Sequence, residues 1–97
     1  MTTVINEGQT AALLENILDA LDRLFDRECA CIDILALLIA TAEALRDTPH
    51  SAELNRAIVA LSDVVRSGAD RETQRELALD LTNSLRHYLA AIVPSPA

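Results

Sequence analysis

The residues of this sequence best suited to chemistry are two cysteines and two histidines. Cys29 and Cys31 stand two positions apart, whereas His50 and His87 lie on other segments of the chain. Side chains at positions i and i+2 of a helix diverge by about 200°, so the two thiols do not easily share a metal ion. A zinc site would also need two further ligands. We interpret both cysteines as small buried thiols at a helix junction.

A histidine beside a tyrosine, His87 and Tyr88, is the second candidate for acid–base chemistry. Adjacent helical residues point about 100° apart, and no third residue is evident to orient the imidazole. Tyr88 is therefore expected in the core with its hydroxyl at the rim, and His87 in solvent. The chain also lacks HExxH, GxSxG, a glycine-rich phosphate loop and paired CxxC motifs. We expect no enzyme activity, bound metal or cofactor.

The carboxylates show the clearest polar pattern. Fifteen acidic residues face eight arginines and no lysine, which gives a net charge of −7, and residues 1–49 hold nine of the acids but only three arginines. At helical spacing, four carboxylates form one stripe of about 16 Å: Glu15, Asp19, Asp22 and Asp26. Like charges one turn apart cost about 0.2–0.5 kcal/mol per pair, which favours a binding surface. A solvated face is the alternative, and both interpretations stay open.

Two further carboxylates, Glu28 and Asp33, extend this candidate partner-binding set. Asp33 interrupts the most apolar run of the chain, 30–42, which suggests an interface residue or a proton acceptor. It also falls in the first turn of a predicted helix, where the helix dipole favours a negative charge. The second explanation needs no partner and is the simpler one.

Four amphipathic helices must position these side chains. The periodicity predicts helices over 9–27, 31–46, 49–67 and 71–92, with a tight turn at 28–30. Asn6 or Thr10 caps the first, Thr48 with Pro49 opens the third, Gly68 closes it, and Asp70 caps the fourth. Apolar residues at helical spacing include Phe25, Ile32, Ile39, Leu77, Leu81 and Ile92. The predicted fold is an all-α, single-domain antiparallel four-helix bundle over residues 1–97, with disordered ends at about 1–6 and 93–97.

Charge and hydropathy restrict the partners. Strong acidity disfavours nucleic acid and anionic membranes, and a basic protein partner is the natural complement. The run 30–42 is too short to cross a bilayer. The first residues carry neither a basic region nor a small-residue cleavage site, so we expect a cytoplasmic protein without a signal peptide.

Two segments carry a family resemblance. Residues 24–33, LFDRECACID, read as a hydrophobic helix end, a short polar turn and an acidic apolar helix; residues 72–77, ETQREL, open a last amphipathic helix. This pattern resembles small helical bacterial immunity proteins of the colicin D immunity and contact-dependent inhibition type, although Cys31 stands where those proteins usually have Ser or Thr. The resemblance implies a cytoplasmic protein that neutralises a toxic nuclease domain.

Two hypotheses follow for the function. In the first, the carboxylates occupy the basic nucleic-acid cleft of a toxin, with Phe25 or Leu37 as a buried anchor. In the second, the chain forms a homodimer with a structural or regulatory role. Several residues off the predicted core faces support this second hypothesis: Leu37, Val59, Leu79 and the Ala36, Ala40 and Ala44 arc.

Overall fold

The structure is a computed structural model that describes residues 7–93. These residues form five α-helices and the turns between them. The helices are α1 (Glu7–Phe25), α2 (Cys31–Ala44), α3 (Ser51–Arg66), α4 (Arg71–Leu81) and α5 (Asn83–Ile92). No strand occurs in this part of the chain, which confirms the predicted all-α class. None of these helices is both long and apolar enough to cross a membrane. The predicted disordered ends lie outside the described residues except Val93, which packs against the core.

The connection between α1 and α2 is a tight turn, as the sequence predicts. The Glu28 N–H donates to the carbonyl of Arg23 over 2.8 Å, and Arg27 adopts a left-handed conformation with φ 63°. This is the hydrogen-bond pattern of a Schellman helix end, here without the usual glycine. A non-glycine residue in this conformation costs about 1–2 kcal/mol, so other contacts must hold the turn.

Two predicted helix starts need correction. Thr10 lies inside α1 rather than at a cap, and Asn6 lies outside the described residues. The regular part of α3 begins at Ser51, two residues after the predicted start. Before it, the Thr48 hydroxyl donates to the Leu45 carbonyl over 2.7 Å and accepts from the His50 N–H over 3.3 Å. Those bonds form a separate turn before the helix.

The predicted fourth helix is two helices, so the count of four is wrong for the described chain. The break falls at Thr82, which is buried and has φ −93° and ψ 3°. Its N–H and its hydroxyl both donate to the Ala78 carbonyl, over 2.9 and 2.7 Å. A threonine side chain that competes for a helix carbonyl tends to bend or end the helix. The end of α4 at Leu81 precedes this residue directly.

One hydrophobic core joins all five helices. Its fully buried side chains are mainly leucine and isoleucine: Ile17, Leu21, Leu24, Ile34, Leu38, Leu45, Leu54, Leu61 and Leu89. The Cα radius of gyration is 13.4 Å, close to the ~13 Å of a compact 100-residue domain. Six apolar residues that the helical spacing assigns to core-facing stripes are exposed instead: Phe25, Ile32, Ile39, Leu77, Leu81 and Ile92. They lie at the edges of those stripes, where the neighbouring helix does not cover them.

We expect Gly68→Ala to lower the free energy of unfolding by roughly 1 kcal/mol in urea denaturation. Gly68 follows α3 with φ 78°, and a Cβ atom there would meet nothing within 4 Å. The cost therefore comes from backbone conformation alone. Gly68→Asn is the matched control, because asparagine tolerates the left-handed region better than alanine. Equal stability of the alanine variant and the parent would contradict this account of the helix end.

Candidate protein-binding surface

Four exposed carboxylates form the surface that we call the α1 stripe: Glu15, Asp19, Asp22 and Asp26. The first three lie in α1, whereas Asp26 lies in the turn directly after it, because α1 ends at Phe25 and not at Arg27 as predicted. The stripe lies opposite the fully buried Ile17, Leu21 and Leu24. Asp22 accepts a hydrogen bond from Arg86 of α5 over 2.9 Å. The other three carboxylates form no ion pair with any residue between 7 and 93. Most of the stripe is therefore negative charge without an internal partner.

An exposed aromatic ring lies beside the α1 stripe. Phe25, the last residue of α1, is 61% exposed rather than packed in the core. The Arg75 guanidinium carbon lies 5.5 Å from its ring centroid, within the range of a cation–π contact. Leu37, the other anchor that the sequence suggests, is half-buried and packs against the core. Of the two, Phe25 is the one available to a partner.

Arg75 fixes the end of the helix that carries this ring. Only 12% of its side chain is exposed. Its Nε donates to the Leu24 carbonyl over 3.0 Å, and its Nη2 donates to the Phe25 carbonyl over 2.7 Å. The last carbonyls of a helix have no partner within the helix and carry partial negative charge. The Arg75 guanidinium supplies both the missing hydrogen-bond donors and a compensating positive charge.

Glu72 extends the same network to the turn after α1. It accepts from Arg75 Nη1 over 3.0 Å and from Arg27 over 2.9 and 3.3 Å. The hydrogen bond from Arg27 is the largest cause that holds the pKa of Glu72 below its ordinary value. These bonds connect the side chain of Arg27, the left-handed residue of the turn, to α4. An open cavity of about 210 Å³ adjoins the network, lined also by Cys29, Ala30 and Arg71.

The two remaining candidate carboxylates have different surroundings. Glu28 is exposed in the turn and makes no ion pair with the described residues. Asp33 is also exposed, but its Oδ2 accepts the Ala30 N–H over 2.8 Å at the start of α2. This bond satisfies one of the free donors of a helix N-terminus, so the first-turn explanation accounts for Asp33. Glu28 is therefore an exposed carboxylate of the turn, while Asp33 stabilises the start of α2.

The cysteines lie at the α1–α2 junction, as the sequence predicts. Cys31 is buried and Cys29 is half-buried, with its Sγ 3.7 Å from the Ala20 carbonyl oxygen. Burial, followed by the charge of Asp33, raises the pKa of the Cys29 thiol. Burial also raises the pKa of the Cys31 thiol, with a smaller contribution from Cys29. Neither thiol belongs to a group of possible metal ligands among the described residues.

The tyrosine of α5 pairs with a distant histidine that the sequence does not indicate. The Tyr88 hydroxyl lies 2.7 Å from His50 Nδ1, and both side chains are half-buried. Their rings meet edge to face, with centroids 5.9 Å apart. His87, the neighbour in sequence, is exposed. The pair lies 38 residues apart in sequence and joins the turn before α3 to α5, so spacing within one helix carries no sign of it.

No family model, curated protein or solved structure matches this chain. The charges on the described surface are unevenly distributed. All three arginines between 31 and 66 pair with an acidic residue three positions earlier: Arg46 with Glu43, Arg56 with Glu53 and Arg66 with Asp63. Among residues 7–93, the α1 stripe has only the single pair with Arg86. Unbalanced negative charge is thus concentrated on α1 and the turn after it.

We expect Tyr88→Phe to lower the free energy of unfolding by about 1 kcal/mol, because it leaves a half-buried His50 nitrogen without its partner. His87→Ala is the matched control at the adjacent, exposed position, and its effect should stay within about 0.5 kcal/mol. Both values come from urea denaturation. A Tyr88→Phe variant as stable as the parent would show that the 2.7 Å contact contributes nothing to stability.

Both thiols should react with iodoacetamide at pH 8 more slowly than a cysteine in an unfolded peptide. The raised pKa values leave less thiolate, which is the reactive form, and burial restricts access. Mass spectrometry over time should show Cys29 modified before the more buried Cys31, and denaturation in urea should abolish the difference. Faster modification of the folded protein would contradict the structural role of these thiols.

Proposed function

We propose that this protein is a non-enzymatic binding module that neutralises a basic protein partner through the α1 stripe. The partner in this proposal is the nuclease domain of a toxin, and the protein acts as its cytoplasmic immunity protein. The observation that carries the proposal is that Glu15, Asp19 and Asp26 are exposed and unpaired within residues 7–93. The resemblance of residues 24–33 and 72–77 to immunity proteins supports the class of partner.

The mechanism is occlusion of a cleft that otherwise receives phosphates. Successive residues of the stripe are three or four positions apart, about one helical turn, so their Cβ atoms lie about 5–6 Å apart. Lysine and arginine side chains bind carboxylates and phosphates through the same charge-assisted hydrogen bonds. A row of carboxylates on a rigid helix can therefore replace nucleic-acid phosphates in a basic cleft. Binding also removes the repulsion between like charges along α1.

Phe25 supplies an apolar anchor at one end of this surface. Exposed charges mainly accelerate association and set specificity, whereas buried aromatic side chains supply much of the affinity. Its 61% exposure leaves most of the ring free to enter a pocket of the partner. Arg75 holds the Phe25 backbone through a 2.7 Å hydrogen bond, so the ring is presented from a fixed helix end. A rigid anchor loses less conformational entropy on binding.

A matched pair of charge-reversal variants tests the proposal. We expect Asp19→Lys with Asp26→Lys to weaken binding about tenfold or more at low salt and to reduce its salt dependence. Glu76→Lys with Asp80→Lys is the control, because these residues of α4 are also exposed and unpaired among the described residues and change the net charge equally. The probe is the C-terminal domain encoded by the reading frame immediately upstream, measured by calorimetry at several salt concentrations.

Inhibition of that domain provides the functional measurement. The parent protein should block its cleavage of RNA or DNA, and Asp19→Lys with Asp26→Lys should restore cleavage while the control pair does not. Equal binding by both variant pairs would place the interface elsewhere. An upstream frame without a basic domain, or a domain that the protein does not bind, would contradict the immunity role.

A further inference from the structure

The open cavity beside the α1–α2 turn collects positive charge. Its volume is about 210 Å³, and three of the eight arginines of the chain line it together with one carboxylate: Arg27, Arg71, Arg75 and Glu72. Cys29 and Ala30 complete the lining. The lining thus carries two more positive than negative charges, in a chain whose net charge is −7. Like charges gathered in one cavity repel each other, and an anion placed between them removes that repulsion.

Glu72 neutralises only part of this charge. Its Oε1 accepts from Arg27 Nη2 over 2.9 Å and from Arg75 Nη1 over 3.0 Å, so two guanidinium groups share one carboxylate. Arg71, the first residue of α4, is exposed and forms no ion pair with any residue between 7 and 93. A guanidinium carries five N–H donors, so Arg71 has all of its donors available to a ligand.

The other carboxylates of this region do not cancel the remaining charge. Glu28, Asp33 and Asp70 are close in sequence to the lining residues but do not line the cavity. Asp33 accepts the Ala30 N–H and Asp70 accepts the Thr73 N–H, each over 2.8 Å. Glu28 is exposed and forms no ion pair with the described residues. These acids therefore stabilise helix starts or face solvent, and the cavity keeps its positive excess.

We propose that this cavity, which we call the arginine cavity, binds a doubly charged oxyanion of the phosphate type. An excess of two positive charges matches a phosphate group, which carries about two negative charges near pH 7.5. Arginine binds phosphate through charge-assisted hydrogen bonds from its planar set of N–H groups. Arg71 supplies free donors, and Arg75 gives a fixed wall because it also donates to the carbonyls of Leu24 and Phe25. The site is open to water, so we expect a dissociation constant of about 1 mM.

Calorimetric titration with inorganic phosphate at pH 7.5 tests this proposal, with sodium chloride used to hold the ionic strength constant. The parent protein should bind one phosphate, and acetate, with a single charge, should bind about tenfold more weakly. Glycerol phosphate distinguishes the two sources of the group. Tighter binding than phosphate would assign the cavity to a phosphate monoester, and equal or weaker binding would assign it to the free ion. No binding of either probe at about 20 mM would overturn the proposal.

Three variants locate the anion. Arg71→Gln should weaken phosphate binding about fivefold or more, because it removes the arginine that has no partner within the described chain. Glu72→Gln should strengthen binding about threefold or more, because the lining gains a positive charge while glutamine keeps an oxygen acceptor for Arg27 and Arg75. Arg46→Gln is the matched control, since Arg46 is exposed beyond the far end of α2 and does not line the cavity. Circular dichroism verifies that each variant is folded. Equal weakening by Arg71→Gln and Arg46→Gln would overturn the assignment.

Cys29 reports occupancy of the cavity independently, because it lines the cavity and Cys31 does not. Burial, followed by Asp33, raises the pKa of the Cys29 thiol, and Arg23 and Arg71 oppose this shift. A bound phosphate covers the thiol and offsets the charge of these arginines. Phosphate at about 20 mM should therefore slow modification of Cys29 by iodoacetamide about twofold or more and leave Cys31 unchanged. No protection of Cys29, or equal slowing of both thiols, would overturn the proposal. The arginine cavity shares no residue with the α1 stripe, so either proposal can fail alone.

Discussion

The contact on which the rest of the structure depends is the Arg75 guanidinium at the end of α1. It is nearly buried, and it donates to the carbonyls of Leu24 and Phe25 and to Glu72. Glu72 in turn accepts hydrogen bonds from the side chain of Arg27, the left-handed residue of the turn. One arginine of α4 thus stabilises the end of α1 and, through Glu72, the turn before α2. Arg75 therefore contacts, directly or through Glu72, the end of α1, the backbone of the exposed Phe25 and the turn that follows.

Helix caps and turns, which depend on a few neighbouring residues, could be predicted from the sequence. Contacts between residues far apart in the sequence could not. Asp70 accepts the Thr73 N–H over 2.8 Å at the start of α4, as expected of an N-cap, and Gly68 ends α3 as predicted. The turn before α2 was also predicted, although its left-handed residue is Arg27 and not glycine. Arg75 donates to the carbonyls of Leu24 and Phe25, which lie 51 and 50 positions before it in the sequence. No local sequence pattern indicates such a distant contact.

Periodicity identified apolar helices but not which apolar residues the neighbours cover. In α1 the polar side is unambiguous, so the exposure of the α1 stripe followed from the sequence. In α2 both sides are apolar, and the placement of the other helices alone decides that Ile34 and Leu38 are buried while Ile32 and Ile39 are not. The same limit applies to α4 and α5. One amphipathic pattern spans them, and the buried Thr82 divides it.

The distribution of arginines separates the two exposed surfaces physically. On α2 and α3, acid–arginine pairs three residues apart neutralise each other locally, so little unbalanced charge lies beside the exposed apolar side chains of these helices. On α1, Arg23 has no ion-pair partner among the described residues and Arg86 reaches only Asp22, so the carboxylates there keep a net negative field. Salt screens the field of α1 and does not weaken the burial of apolar side chains. The two surfaces therefore differ in the force that a contact with either of them would depend on.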